Sequence, residues 1–249
     1  MPFDAIVLAG SSGSGDLHPN RALIPIGEKL MVQYVVHALK EAPSVNRIVV
    51  VGPVKELEAI FAGCPGVLLA EQGDTQVTTL LNGVKVLRPK DEDKIIVATS
   101  DIPLLSSEAV EDFLRQCAEK EGDVFYPIVP KEVNEKRYPG IKRTYVHLRD
   151  GVFTGGNLFL IRAGVIEPCA AKAEELVRLR KSPLALSCQI GPLFIIKYLL
   201  HRLSLRETEV KFSKLLGIKG YGIISQYPEV GIDVDKPSDL ELVRRILAG

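Results

Sequence analysis

Directly after the apolar run at residues 5–9, the chain reads Gly10-Ser11-Ser12-Gly13-Ser14-Gly15-Asp16. Glycine and serine at this density leave backbone N–H groups open, and a row of them leading into a helix makes a site for phosphate. Gly10 and Gly15 have the spacing of P-loop glycines, yet Asp16 stands where that loop needs a lysine at the β- and γ-phosphates. A dinucleotide fingerprint fails as well. It needs a glycine at His18, and the second apolar run ends in Gly52-Pro53 rather than in a ribose-binding acid. His18 itself is as easily a solvated loop residue as a phosphate contact. The sequence therefore offers an anion cradle whose positive charge has to come from elsewhere.

Such a loop has to be held by regular elements, and these are legible. Apolar, β-branched runs at residues 5–9, 47–51, 67–70, 94–99 and 123–129 alternate with amphipathic stretches at 31–41, 55–63, 75–87 and 107–121. In the first of these stretches Val32, Val35, Val36 and Leu39 recur at helical spacing. Strands without alternation, separated by helices, read as βαβ units around a sheet buried on both faces. The expected fold is a three-layer α/β/α arrangement with a mostly parallel central sheet, Rossmann-like. Ligands of such sheets lie beyond the carboxyl ends of the strands. That rule selects the loop after Ala9, residues 71–74 and residues 100–103.

Past residue 130 the rhythm changes. Residues 131–143 are charged and interrupted by Pro139 and Gly140, and residues 144–148 and 152–154 read as a hairpin around Arg149-Asp150-Gly151. Residues 158–161, 219–225 and 231–234 read as strands, and residues 165–181 and 192–203 as helical. A last helix starts at Pro237 and carries Leu240, Val243 and Leu247 on one face. With no Gly-, Ser- or Pro-rich linker and no repeat, residues 1–249 read as a single domain with an elaboration at about 130–217.

Bulk properties exclude several classes. The chain of 249 residues carries 31 Lys plus Arg against 31 Asp plus Glu, which argues against a dedicated nucleic-acid binder. Its four cysteines, Cys64, Cys117, Cys169 and Cys188, form no C-x-x-C pair, so neither a zinc site nor a disulfide framework is expected, and a cytoplasmic location is. No apolar run is long enough to span a bilayer, so no membrane partner is expected.

A longer pattern runs through the chain. Leu8-Ala9-Gly10 ends the first run, the Gly-rich loop follows, and then come Arg21-Ala22-Leu23-Ile24-Pro25. Thr99-Ser100-Asp101-Ile102-Pro103, Thr154-Gly155-Gly156-Asn157 and Asp233-Val234-Asp235-Lys236-Pro237-Ser238-Asp239-Leu240 appear later, in that order. In this order the motifs resemble the nucleotidyltransferases of the MobA-like and sugar-nucleotide pyrophosphorylase kind, which share a GT-A-like α/β fold. Arg21 stands where that pattern has a lysine, and the loop lacks the pattern's arginine.

The resemblance implies transfer of a nucleotidyl group from a nucleoside triphosphate to a phosphorylated small-molecule acceptor, with release of pyrophosphate. It implies that Leu8, Ala9, Gly10, Ser11, Ser12 and Gly13 cradle the triphosphate and that Gln72 and Asn82 lie where the base is read. Gly156 and Asn157 would face the acceptor, and Arg21 and Asp101 would act in catalysis. Asp101 and Asp235 would hold Mg²⁺ or Mn²⁺, with Asp233 an alternative or supporting ligand. Each acid has a plainer reading: Asp101 as the opening of a turn before Pro103, Asp235 as a helix cap before Pro237. A nucleotide-binding protein of the same fold with weakened catalysis is the functional alternative, for which Asp16 speaks.

Overall fold

A computed structural model describes residues 2–10, 20–179 and 191–248. The chain starts with β1 (Phe3–Leu8), a 3-10 turn (Arg21–Leu23), a small hairpin of β2 (Pro25–Ile26) and β3 (Lys29–Leu30), and α1 (Met31–Glu41). It continues through β4 (Val45–Gly52), α2 (Val54–Phe61), β5 (Val67–Glu71), α3 (Gln76–Leu87), β6 (Lys94–Thr99) and α4 (Ser107–Ala118). Then follow β7 (Val124–Pro130), α5 (Lys131–Arg137), β8 (Val146–Leu148), β9 (Gly151–Gly155), β10 (Leu158–Arg162) and α6 (Ala163–Leu179). The last described elements are α7 (Pro192–Leu199), α8 (Leu205–Leu216), β11 (Gly220–Ile224), a 3-10 turn (Pro228–Gly231) and α9 (Pro237–Ala248).

One mixed sheet organises these elements, in the order β5-β4-β1-β6-β10-β7-β9-β8, with β11 on the other side of β7. The pairings of β5 with β4, β4 with β1, β1 with β6 and β11 with β7 are parallel. Those of β10 with β6 and β7, and of β9 with β7 and β8, are antiparallel. The parallel half is the half that reads as βαβ units. The sheet is mixed: its parallel ladders bear out the three-layer α/β/α reading, and β8, β9 and β10 add the antiparallel part.

The pleat sorts the strand residues between two helical layers. Ala5, Val7, Ile48, Val50, Ile96 and Ala98 join Val32, Val35, Leu39, Leu57 and Phe113 in one core. Ile6, Val49, Val51, Ile95 and Val97 join Leu87 and Ile166 in the other. A third cluster of Ile24, Ile26, Met31, Tyr138, Ile232, Val234, Leu240 and Val243 closes the end of the sheet near Asp101.

Several local expectations are corrected. Residues 231–234 are not a strand but the exit of the 3-10 turn, leading toward α9. The charged stretch after residue 130 begins with α5, whose Asn134 is buried against Tyr145. The helix expected over residues 192–203 ends at Leu199, because His201 takes a positive φ of 54°. A separate helix, α8, then starts at a capping box in which Ser204 and Glu207 satisfy each other's backbone N–H. Residues 180 and 181 of the expected helix over 165–181 lie outside the described residues. No helix among the described residues is long and apolar enough to cross a membrane.

Candidate functional site

The carboxyl ends of the parallel strands are laced together by main-chain bonds. Ala9 N–H donates to Val51 O at 2.8 Å, Gln72 N–H to Gly52 O at 3.2 Å, and Ser100 N–H to Leu8 O at 3.1 Å. The start of the Gly-rich loop, Gln72 and the Asp101 turn therefore meet at one end of the sheet. Gln72 lies close to Gly10: a Cβ there would meet its Oε1 at 3.0 Å and its Cβ at 3.3 Å, so a larger residue would have to push this side chain aside. Ser11, Ser12, Gly13, Asp16 and His18 lie outside the described residues.

Asn20 joins the far end of the loop to its beginning. Its buried carboxamide donates to Ala9 O at 2.9 Å and accepts from Ala22 N–H at 2.9 Å, which caps the turn that carries Arg21. The signal for this cap in the sequence is an Asn directly ahead of a short helical turn.

Asp101, Asp233 and Asp235 bring carboxylate oxygens within 4.8 Å of one another. Ile232 and Val234 are buried in the third core, and this anchors the run that turns Asp233 and Asp235 toward Asp101. Val234 N–H also donates to Asp101 O at 2.9 Å, tying the two segments together. Arg21 Nη1 lies 3.2 Å from Asp101 Oδ2 and donates to Asp235 Oδ1. The Asp239 carboxylate accepts from the N–H groups of Asp235 and Lys236 at 3.2 and 3.0 Å, which ties the start of α9 to the run that carries Asp235.

Crowding of three acids has an electrostatic consequence. Burial pushes the Asp101 carboxyl above its ordinary value, against the hydrogen bond donated by Thr99 Oγ1 at 2.6 Å and the nearby Arg21 charge. Burial also pushes Asp233 up to about 6, with the charges of Asp101 and Asp235 adding to it and Arg143 opposing. Arg143 pairs with Asp233 Oδ1 and donates to Gly231 O, with only 12% of its side chain exposed. Arg143 was not singled out by sequence, since a lone Arg in a charged stretch carries no signal until the fold buries it.

The other expected residues divide. The Asn82 carboxamide donates to Glu71 O at 3.0 Å, so it holds the turn that presents Gln72. Gly156 and Asn157 work through their backbone: Gly156 N–H donates to Pro127 O at 2.9 Å, Asn157 N–H to Val230 O at 2.7 Å, and Asn157 O accepts from Thr99 N–H at 3.1 Å. They form the joint that sets the 230–235 run beside β6.

The arrangement can hold a hard cation and an anionic ligand side by side, and comparison with known proteins places it. A family model of the MobA-like NTP transferase domain matches residues 5–189. The chain is 37% identical to a hypothetical transferase from Thermus thermophilus, with a TM-score of 0.81 over 96% of this chain and 100% of that one. It shares its fold with a 4-diphosphocytidyl-2C-methyl-D-erythritol synthase from Anaerococcus prevotii at 12% identity, with a TM-score of 0.64 over 100% of this chain and 96% of that one. A CMP:2-keto-3-deoxy-manno-octonic acid synthetase solved with CTP gives 15% identity and a TM-score of 0.62 over 100% and 99%. No curated protein matches the chain. The family match covers most of the chain and includes the Gly10 loop and Asp101, and on that ground the chain belongs to the MobA-like NTP transferase family of nucleotidyltransferases.

Proposed function

We propose that this protein is a metal-dependent nucleotidyltransferase acting on a nucleoside triphosphate and a phosphorylated small molecule. An acceptor phosphate oxygen attacks the α-phosphorus, the bond from that phosphorus to the bridging oxygen breaks, and pyrophosphate leaves with the electron pair. The acceptor is already an anion at neutral pH, so no general base is required. What the protein has to provide is position and positive charge. One observation carries the reading: the carboxylates of Asp101, Asp233 and Asp235 converge at the strand ends beside Gly10.

These acids fit Mg²⁺ or Mn²⁺, which take hard oxygen donors, and a cation would offset the repulsion among three carboxylates held within 4.8 Å of one another. Asp101 and Asp235 would hold it, with Asp233 beside them. When bound, the cation supplies charge neutralisation at the triphosphate. Leu8 and Ala9 lead into the cradle formed by Gly10, Ser11, Ser12 and Gly13, and Arg21 offers a planar fork to phosphate oxygens. Gln72, held by Asn82, lies on the base side, and Gly156 and Asn157 lie on the acceptor side, within one domain whose residues 130–217 elaborate that side. Cys64, Cys117 and Cys169 are free thiols, consistent with a cytoplasmic enzyme.

A thermal-shift panel of the four ribonucleoside triphosphates, each with and without Mg²⁺, tests the reading. A ligand at a hundred times its dissociation constant adds roughly 2.7 kcal/mol. At least one triphosphate should stabilise the protein more with Mg²⁺ than without. No stabilisation by any of them at millimolar concentration overturns the reading. Stabilisation without pyrophosphate release across phosphorylated acceptors favours the binding-only alternative, which the pairing of Arg21 with two of the acids supports.

A further inference from the structure

Between the sheet and α8 lies a cavity of about 390 Å³, within the range of small-molecule sites. Tyr126, Ile128, Phe153, Leu205, Phe212 and Leu216 are among the side chains that line it. Its origin is visible in the sequence of β11, where Gly220 and Gly222 place no side chain into the space under the helix. No residue of α8 is buried, although Leu205, Phe212 and Leu216 lie along the cavity. Polar bonds fix the helix at this distance. Gly222 N–H donates to Glu209 Oε1 at 2.8 Å, Gly220 N–H to Ser213 Oγ at 2.9 Å, and Leu205 N–H to Asp150 Oδ2 at 2.6 Å. The helix hangs from β11 and from the β8–β9 turn and does not close onto the apolar face.

One wall of the cavity belongs to the strand that leads to the Gly156–Asn157 joint. Thr154 and Gly155, next to the Gly156–Asn157 joint, form part of its wall. The Tyr126 hydroxyl rests against Gly155, where a Cβ would overlap it. Burial pushes the Tyr126 hydroxyl above its ordinary value, with the charge of Asp233 adding to this and that of Arg143 opposing it. The apolar chamber thus shares the wall formed by Tyr126, Thr154 and Gly155 with the segment that runs on to the proposed acceptor side.

We propose that the acceptor is an amphiphile: a phosphate monoester whose apolar group fills this cavity while its phosphate is held toward Arg143. The chemistry rests on the nucleotidyltransferase reading above. An oxygen of the monoester forms the new bond to the α-phosphorus as pyrophosphate departs, so the product is a nucleoside diphosphate ester carrying the apolar group. A sugar or polyol phosphate would leave this apolar wall against hydroxyl groups with no partners, which costs free energy at each one.

The test is binding of butyl, hexyl and octyl phosphate to the full chain by titration calorimetry, with inorganic phosphate as the reference. Burial of each added methylene should tighten binding by roughly fourfold. Thr208→Phe and Phe212→Trp both fill the cavity, and each should weaken octyl phosphate at least tenfold with helix content unchanged by circular dichroism. If one variant unfolds, the other and the chain-length series still decide. Affinity independent of chain length, or unchanged octyl phosphate binding in a folded variant, overturns the inference. Chain-length-dependent binding without pyrophosphate release from any triphosphate keeps the cavity assignment and removes the transferase reading. Pyrophosphate release driven by short polar phosphates, with no chain-length effect, does the reverse.

Discussion

Arg21 bridges Asp101 and Asp235: its Nη1 lies 3.2 Å from Asp101 Oδ2 and also donates to Asp235 Oδ1. One guanidinium from the turn after the Gly-rich loop thereby neutralises acids from two separate segments. In the proposed enzyme Arg21 exchanges this role for contact with the triphosphate once a cation sits among the acids.

Arg21→Ala should therefore weaken triphosphate binding by about tenfold, or ~1.4 kcal/mol. Arg21→Lys should keep a good part of the affinity, since the charge survives and only the fork is lost. Isothermal titration with Mg²⁺-nucleotide measures both. An Arg21→Ala protein that binds nucleotide normally but melts several degrees earlier would make Arg21 a structural ion-pair partner only.

The acids give a test of cooperation. Asp101→Asn and Asp235→Asn keep size but lose the charge a hard cation needs, so each should abolish the Mn²⁺-dependent part of nucleotide binding seen by electron paramagnetic resonance. Groups that act through one ion are not additive, so the double variant should be little worse than the weaker single one. Asp112→Asn, on α4 and paired with Arg115, is the control and should bind as the parent does. Normal Mn²⁺-nucleotide binding in both single variants would remove the metal from the proposal.

Gly83 sets how closely α3 approaches the sheet. A Cβ there would lie 2.8 Å from Ile6 Cγ2 and 2.9 Å from Val51 Cγ2, both in β-branched side chains buried in the core. Alanine gains about 1 kcal/mol of helix propensity over glycine, while overpacking costs about 1–3 kcal/mol. These stiff neighbours cannot turn aside, so packing should win and Gly83→Ala should lower the melting temperature by a few degrees. A raised melting temperature in calorimetry would show that α3 can lift off the sheet.

Acid stability should report the cap of α8. Lys197 and the Ser204 N–H and hydroxyl hold the Glu207 carboxyl down to about 2. A depressed carboxyl contributes stability above its ordinary value of 4.5 and loses it as pH falls toward about 2. Denaturant titrations across that window should show Glu207→Gln with a flatter pH dependence than the parent protein. Ser204→Ala, which removes the N-cap, should cost roughly 1 kcal/mol at neutral pH. Identical slopes for Glu207→Gln and the parent would mean that the cap also forms in the unfolded chain.

Local pattern alone was enough for the first half of the fold. Residues 31–41 and 94–99 form the helix and strand their periodicity implies, because a parallel strand buried on both faces and its covering helix have unambiguous patterns. The family, too, was legible in short motifs carried in order along the chain. Three things were decided by tertiary structure. The antiparallel insertion of β10 between β6 and β7 is one, since a short apolar run does not state its direction. The meeting of Asp235 with Asp101 and Arg21 depended on the packing of Ile232 and Val234 into the third core. Arg143 joins the acidic cluster only because folding buries it against Asp233 and Gly231. Sequence periodicity records which face of an element is apolar. Which charges meet across distant loops is set by how those faces pack together.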